Sequence, residues 1–304
     1  MTYLHRRELL VAAGALTLAS AAPARSARSP LRPRRTIRKA LKIGMIEGGS
    51  TLEETFQIAK DAGFDGVELN SPSDLALDDV LAAIDATGLV VPGVVDSVHW
   101  SQPLSHPDPE VRAAGVRGLE QALRDCKAYG GDTVLLVPAV VNGDVSYDAA
   151  YERSQAEIRR VLPLAEELGI KIALENVWNS FLLSPIEAAR YVDELESPWV
   201  GWYFDVGNIV NYGWPEQWVR ILGPRILKLD VKEFSRKKRN DEGLWKGFAV
   251  EIGDGDCNWP VVMTALDEIG FGADTPGWAS AEVAGGDAAR LRDIAERMER
   301  VLGS

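Results

Sequence analysis

The sequence predicts an α/β fold, a single (β/α)8 barrel, and three observations carry that expectation. Short apolar segments with strand-like composition alternate with amphipathic stretches through residues 41–304, the pattern of a parallel sheet whose crossovers are helices. There are eight such segments, enough to close a sheet on itself. The chain has 304 residues, 46% of them hydrophobic, which suits one core of the about 250 residues a barrel takes. No Gly-rich phosphate fingerprint follows the first segment, so an open doubly wound sheet is the weaker alternative.

Each element can be placed in order. The first strand is expected at Lys42–Ile46. A helix follows over 51–62, with Thr51 as N-cap and Glu54 completing a capping box. Gly66–Leu69 is the second strand, and a helix from Leu75 to Thr87 is closed by Gly88. Leu89–Val95 is the third strand; a long connection, Asp96–Pro107, leads to a helix over Asp108–Tyr129. The fourth strand, Thr133–Val137, precedes a helix at Tyr147–Leu168 that Gly169 terminates. The fifth strand carries Ile170, Ile172 and Leu174 and stops at Glu175-Asn176-Val177-Trp178. Val200–Phe204 is the sixth strand, with a helix over Pro215–Leu222, and Arg225–Val231 is the seventh. The longest irregular stretch, Glu233–Asn258, leads into a helix over Pro260–Ile269. Trp278–Val283 and a helix over Asp287–Leu302 complete the set.

The N-terminus reads differently. Arg6-Arg7, an apolar run from Leu9 to Leu18 and small residues around Ala22-Pro23-Ala24 form a signal peptide over residues 1–27. The paired arginines resemble the twin-arginine export type, which implies a periplasmic mature protein. The run is shorter than the ~20 apolar residues of a membrane span, so no stable span is expected after processing. Residues 28–40 are expected to be a basic linker and 41–304 the barrel. Residues 1–40 carry a net +8, so the remainder holds −20 against −12 for the whole chain. A domain that acidic is a poor nucleic-acid ligand. Cys126 and Cys257 lack metal-type spacing and are expected to be free thiols.

An acid ending a buried strand needs a partner. Glu175, Asp205 and Glu282 end the fifth, sixth and eighth strands, and Asp230 lies near the end of the seventh. In a barrel all strand C-termini share one face, so four carboxylates should converge there. Such a set holds a cation, is partly protonated, or pairs with basic neighbours such as Lys228, Lys232 or Arg236. Hard oxygen donors favour Mn2+ or Mg2+ over Zn2+. Among other candidates, His99 could polarise a carbonyl or be a hydrogen-bonded loop residue. Glu68 could reach the pocket or serve its turn. Trp178 could stack on a sugar face, and Lys232 could bind an oxyanion or neutralise Glu233. His106, between Ser105 and Pro107, reads as a turn residue.

Leu174-Glu175-Asn176, Tyr203-Phe204-Asp205-Val206-Gly207-Asn208, Lys228-Leu229-Asp230-Val231-Lys232-Glu233 and Ala281-Glu282-Val283 resemble the ligand segments of xylose-isomerase-like TIM barrels. They are most similar to the sugar phosphate isomerase/epimerase branch, with its hexulose-phosphate isomerases and ketose 3-epimerases. The resemblance implies a divalent metal held by Glu175, Asp205 and Glu282, with the two glutamates as the acid/base pair. Asp230 stands where the family has a histidine; it offers a harder donor and one more negative charge. Asn208 stands where ketose 3-epimerases place another histidine, and Arg236 matches a family arginine that holds substrate oxygens. The implied activity is a metal-dependent sugar isomerase or epimerase working through an enediolate on a small sugar or sugar derivative. The same residues could make a lyase or hydrolase of keto-glycosides, or a non-catalytic sugar-binding barrel. A zinc-dependent DNA-repair nuclease shares the fold but needs more histidines than the three present. A homo-oligomer is compatible with all of these.

Overall fold

The computed structural model describes residues 35–304. The expected signal peptide, its twin-arginine character and the first part of the expected linker lie outside the described residues. Eight parallel strands form a closed barrel in sequence order: β1 (Ile37–Lys42), β2 (Gly66–Ser71), β3 (Gly93–Asp96), β4 (Thr133–Leu136), β5 (Lys171–Glu175), β6 (Val200–Asp205), β7 (Ile226–Val231) and β8 (Gly277–Ala281). β8 pairs with β1 to close the ring. The surrounding helices are α1 (Leu52–Asp61), α2 (Leu77–Thr87), α3 (Pro109–Ala128), α4 (Tyr147–Leu168), α5 (Pro185–Asp193), α6 (Val206–Val210), α7 (Pro215–Leu222), α8 (Arg236–Glu242), α9 (Trp259–Ile269) and α10 (Ala288–Leu302).

Most expected elements are found within a few residues of their places. β1 is the exception. It starts at Ile37, so residues expected in the linker form the first strand, and 43–45 is a 3-10 turn instead of strand. The basic side chains that suggested a linker lie along the barrel wall. Arg38 sits 5.5 Å over the Trp278 ring, and Lys39 pairs with Glu299 at 2.9 Å. Their stems cover apolar surface while their charges stay at the rim. Arg35 is already tied down, to Asp267 and to the carbonyls of Leu302 and Ser304. β3 is shorter than expected because Pro92 has no N–H to give the ladder.

α5 is absent from the expectation, although Ser184 caps it by accepting from the Glu187 N–H. The stretch read as irregular, Glu233–Asn258, contains α8 and a 3-10 turn over Leu244–Phe248. Thr51 caps α1 as expected, and Gly88 and Gly169 close α2 and α4 in the left-handed region (φ 69° and 68°). Cys126 and Cys257 are buried free thiols.

Period-two alternation decides what faces the barrel axis. Leu41, Val67, Leu69, Ile172, Leu174, Trp202, Phe204, Leu229 and Val231 pack outward into the main core between strands and helices. The opposite parity points inward, where Leu135, Ala173 and Tyr203 form a small separate cluster. Lys42, Glu68, Glu175, Asp205, Asp230 and Glu282 share that inward parity. The register aligns Asp205 with Asp230 and Lys42 with Glu68, and the Glu282 N–H donates to the Val231 carbonyl. Gly207 lets α6 approach the end of β7 closely. A Cβ there would sit 2.8 Å from the backbone carbonyl of Lys232.

Candidate active site

The carboxylates of Glu175, Asp205, Asp230 and Glu282 meet at the C-terminal mouth of the barrel. One oxygen from each lies within 4.8 Å of the others. The first three are buried; the Glu282 side chain is 37% exposed and forms the solvent side of the cluster. Five oxygens, Glu175 Oε1, Asp205 Oδ2, both of Asp230 and Glu282 Oε2, are buried without an aligned hydrogen-bond donor. Buried polar atoms rarely go unpaired, and four carboxylates that converge in this way make an all-oxygen donor set that could hold a cation.

Two lysines reach the cluster. Lys232 Nζ lies 3.0 Å from Asp205 Oδ2 and 3.1 Å from Glu282 Oε1. Lys42 Nζ lies 3.0 Å from Asp230 Oδ1 and 2.7 Å from Glu68 Oε2. With Glu68 included, five carboxylates face two ammonium groups, a net −3 when all are ionised. A divalent cation fits that deficit. The alternative, in which each acid has its own basic neighbour, does not describe the site. Lys228 points toward the other end of the barrel, to Asp132 at 2.8 Å, and Arg236 bonds elsewhere.

The electrostatics follow. Burial pushes the Glu175 carboxyl well up, and Glu282 adds to the shift. Burial does the same at Asp230, against the pull of Lys42 and with Glu282 and Glu175 adding to it. Burial lifts Asp205 to about 6, although Lys232 opposes it. Glu282 is the exception: burial raises it, yet Lys232 and Lys42 together hold it below the usual carboxylate range. Removing water raises the cost of each anion, and only nearby positive charge offsets it.

The other expected residues divide. Glu68 lies beneath the cluster and accepts from Tyr203 Oη at 2.7 Å, while Tyr203 also meets Ser280 at 3.0 Å. His99 lines an inner cavity of about 360 Å³ together with Lys42, Asn70, Asp96, Glu175 and Glu282. Its Nδ1 accepts from the Val137 N–H at 3.2 Å, which assigns the ring proton to Nε2. Burial, with Lys42 nearby, lowers His99 to about 4, so the ring is neutral. His106 accepts from the Asp108 N–H, as a turn residue does.

Trp178 and Asn208 line an outer cleft of about 600 Å³, with Trp100, Lys232, Trp245 and Phe248. The Trp178 indole N–H donates to the Asn208 carbonyl at 2.8 Å, and Asn208 Nδ2 donates to the Asn176 carbonyl at 3.0 Å. Arg236, expected to hold substrate, lies outside both cavities. Its guanidinium donates to the carbonyls of Val210 and Gly213 at 3.0 and 2.9 Å, so it braces the turn between α6 and α7. Lys232 does not neutralise Glu233, whose carboxylate accepts from Gly253 N, Cys257 N and Trp259 Nε1 at 2.8, 3.1 and 2.9 Å.

Lys42, Tyr203, Asp96 and the aromatic wall Trp100, Trp245 and Phe248 were not anticipated. Lys42 becomes legible once β1 is set in register, because it then has the inward parity. Nothing local in the sequence marks Trp245 or Phe248, which a folded loop brings over Trp178.

The comparisons with known proteins agree with this fold. A family model described as xylose isomerase-like TIM barrel matches residues 56–301. An L-ribulose-5-phosphate 3-epimerase of Escherichia coli is 27% identical over 257 residues, covering 77% of this chain and 85% of that protein. Among solved structures, L-ribulose 3-epimerase superposes with a TM-score of 0.72 at 18% identity, over 88% of this chain and 95% of that one. The apo form of a 3-keto-D-glucoside 4-epimerase from E. coli gives 0.70 at 16% identity, over 88% and 100%.

Proposed function

Because the chain belongs to the xylose isomerase-like TIM barrel family, we propose that it is a metal-dependent sugar epimerase or isomerase that moves a proton beside a carbonyl. Sugar epimerases among its relatives support the reaction class. Glu175, Asp205, Asp230 and Glu282 would hold the ion, and their all-oxygen donor set suits Mn2+ or Mg2+. When bound, a divalent cation supplies Lewis acidity that offsets the charge of an enediolate. Glu175 and Glu282 arrive from β5 and the end of β8 and both line the inner cavity. A sugar carbon seated between them can lose its proton to one carboxylate. It regains a proton from the other on the opposite face for epimerisation, or at the neighbouring atom for isomerisation.

His99, neutral with its proton on Nε2, donates to a substrate oxygen in the same cavity. Lys42 and Lys232 position the acids, and Trp178 closes one wall against water. Export of the mature enzyme belongs to the same reading, supported by Arg6-Arg7 and the apolar run after them. It would then meet unphosphorylated sugars outside the cytoplasm.

The observation that carries the proposal is the meeting of four carboxylates at one mouth, with more negative charge than the two lysines beside them offset. Its test is solvent deuterium exchange into a ketose and keto-sugar panel with Mn2+-loaded protein. Deuterium should enter at the carbon beside the carbonyl, stop on chelation, and slow by about 10²–10⁴-fold in Glu175→Gln and Glu282→Gln. A Mn2+-loaded wild type that exchanges nothing across the panel refutes it.

A further inference from the structure

We infer that the outer aromatic cleft is a second binding subsite, built for a flat, uncharged substituent on the reacting sugar, an aryl aglycone or a second pyranose ring. This rests on the epimerase reading and specifies its substrate class: a glycoside or disaccharide with a keto group, in place of a free or phosphorylated monosaccharide.

The inner cavity, about 360 Å³ and lined by Lys42, Asp96 and His99 among others, contains the acid/base pair and is large enough for one sugar ring. The outer cleft, about 600 Å³, shares Trp100, Val177 and Glu282 with it, so the two adjoin. A monosaccharide held at the carboxylates would leave the outer cleft unused. Its walls are aromatic. The Trp178 ring is 5.0 Å from Trp245 and 4.9 Å from Phe248, and its N–H is bonded to Asn208. Trp100 and Trp245 are nevertheless 52% and 69% exposed. Two indoles left largely in water beside a functional cavity form the kind of apolar patch that marks a binding surface.

Charge argues against a phosphate in the cleft. Lys232 is the one cation in its lining, and Asp205 and Glu282 already engage it. Arg236 and Arg239 on α8 are turned to the carbonyls of Val210, Gly213 and Asn211. A phosphate dianion would enter a mouth with surplus negative charge and find no free guanidinium or ammonium there. An indole wall instead stacks on the C–H face of a pyranose or on an aryl ring.

The test uses the Mn2+-loaded full chain and calorimetric binding of four probes: methyl 3-keto-β-D-glucopyranoside, its phenyl analogue, a 3-keto-disaccharide, and D-ribulose 5-phosphate. The phenyl or disaccharide probe should bind about tenfold more tightly than the methyl one, and the phosphate should bind least. Whichever of the two leads identifies the natural substituent. Trp245→Ala and, on a separate segment, Trp100→Ala should each bring the preference toward unity. Trp214→Ala, an exposed indole outside both cavities, should preserve it. Equal affinity for methyl, phenyl and disaccharide probes, or tighter binding of the phosphate, overturns the subsite. So does a dimer in sedimentation that Trp245→Ala dissociates. Deuterium exchange on the same probes separates the two readings. Exchange without a substituent preference sinks only the subsite, and a preference without exchange sinks only the epimerase.

Discussion

Replacing Asp230 with asparagine separates a metal-holding site from a network of buried ion pairs, because the two give opposite signs. Asp230 is fully buried, and its ionised form is disfavoured by burial and by its carboxylate neighbours despite Lys42. The substitution removes one charge from a cluster in surplus and leaves Lys42 its 2.7 Å contact with Glu68, so no cation is orphaned. The metal-free variant should therefore match or exceed wild-type stability. Metal affinity should fall. A charge pair at 4 Å contributes about 4 kcal/mol at an effective dielectric of about 20, and part of this is offset by the desolvation an asparagine avoids. A net loss of about 2.7 kcal/mol, a hundredfold in Kd, is the expected scale.

At a Mn2+ concentration about 100-fold above the wild-type Kd, binding stabilises the wild type by about 2.7 kcal/mol and the variant by about 0.4 kcal/mol. With about 2 °C per kcal/mol for a chain this long, the metal-induced rise in Tm should shrink from about 5 °C to about 1 °C. Scanning calorimetry with Mn2+ and with chelator measures both terms. A variant that loses several kcal/mol when metal-free and keeps the wild-type increment would refute the reasoning, since Asp230 would then be a structural partner of Lys42.

The metal increment should also depend on pH. Asp205 titrates at about 6 in the fold against about 3.9 unfolded. Its raised value favours the fold at low pH, and that contribution is lost as pH rises through about 6. Asp96, pushed up to about 7 by burial, has the same sign. His99, lowered to about 4, works the other way, because the unfolded chain takes up its proton first as pH falls below about 6.5. Neither is among the four acids, so both enter the Mn2+ and chelator scans with the same sign. The difference between the two scans should grow as pH rises above ~5, first as Asp205 loses its proton and further as Glu175 and Asp230, also held up by burial, lose theirs; a flat profile would show that the cluster does not take up the ion. A separate prediction concerns Glu233→Ala, which strips the acceptor from buried donors at Cys257 and Trp259. Urea unfolding should register a loss of about 3 kcal/mol or more, with residues 236–256 becoming cleavable by protease. A loss below about 1 kcal/mol would show that those donors find other partners.

Much of the barrel was readable because helices announce themselves locally. Thr51, Gly88 and Gly169 cap where their side chains and backbone freedom require, and the boundaries of α4 coincide with those read from the sequence. β1 was misplaced because composition cannot distinguish a solvated arginine from one whose stem lies on a tryptophan. Ser184 and Glu187 carry a usable capping signal for α5 that went unread. Within the site, each of the four acids ends or nearly ends a strand, so chain position alone foretold their convergence.

The sequence by itself determined the barrel and the acids at its mouth, because apolar periodicity and strand ends are properties of neighbouring residues. Only the tertiary structure decided how those charges are offset. Lys42 meets Asp230 and Glu68 across the barrel, Arg236 turns away to carbonyl groups, and Trp245 folds over Trp178. Each of these joins residues distant along the chain, and which long side chain reaches which charge depends on strand register and loop path, not on the residues beside it.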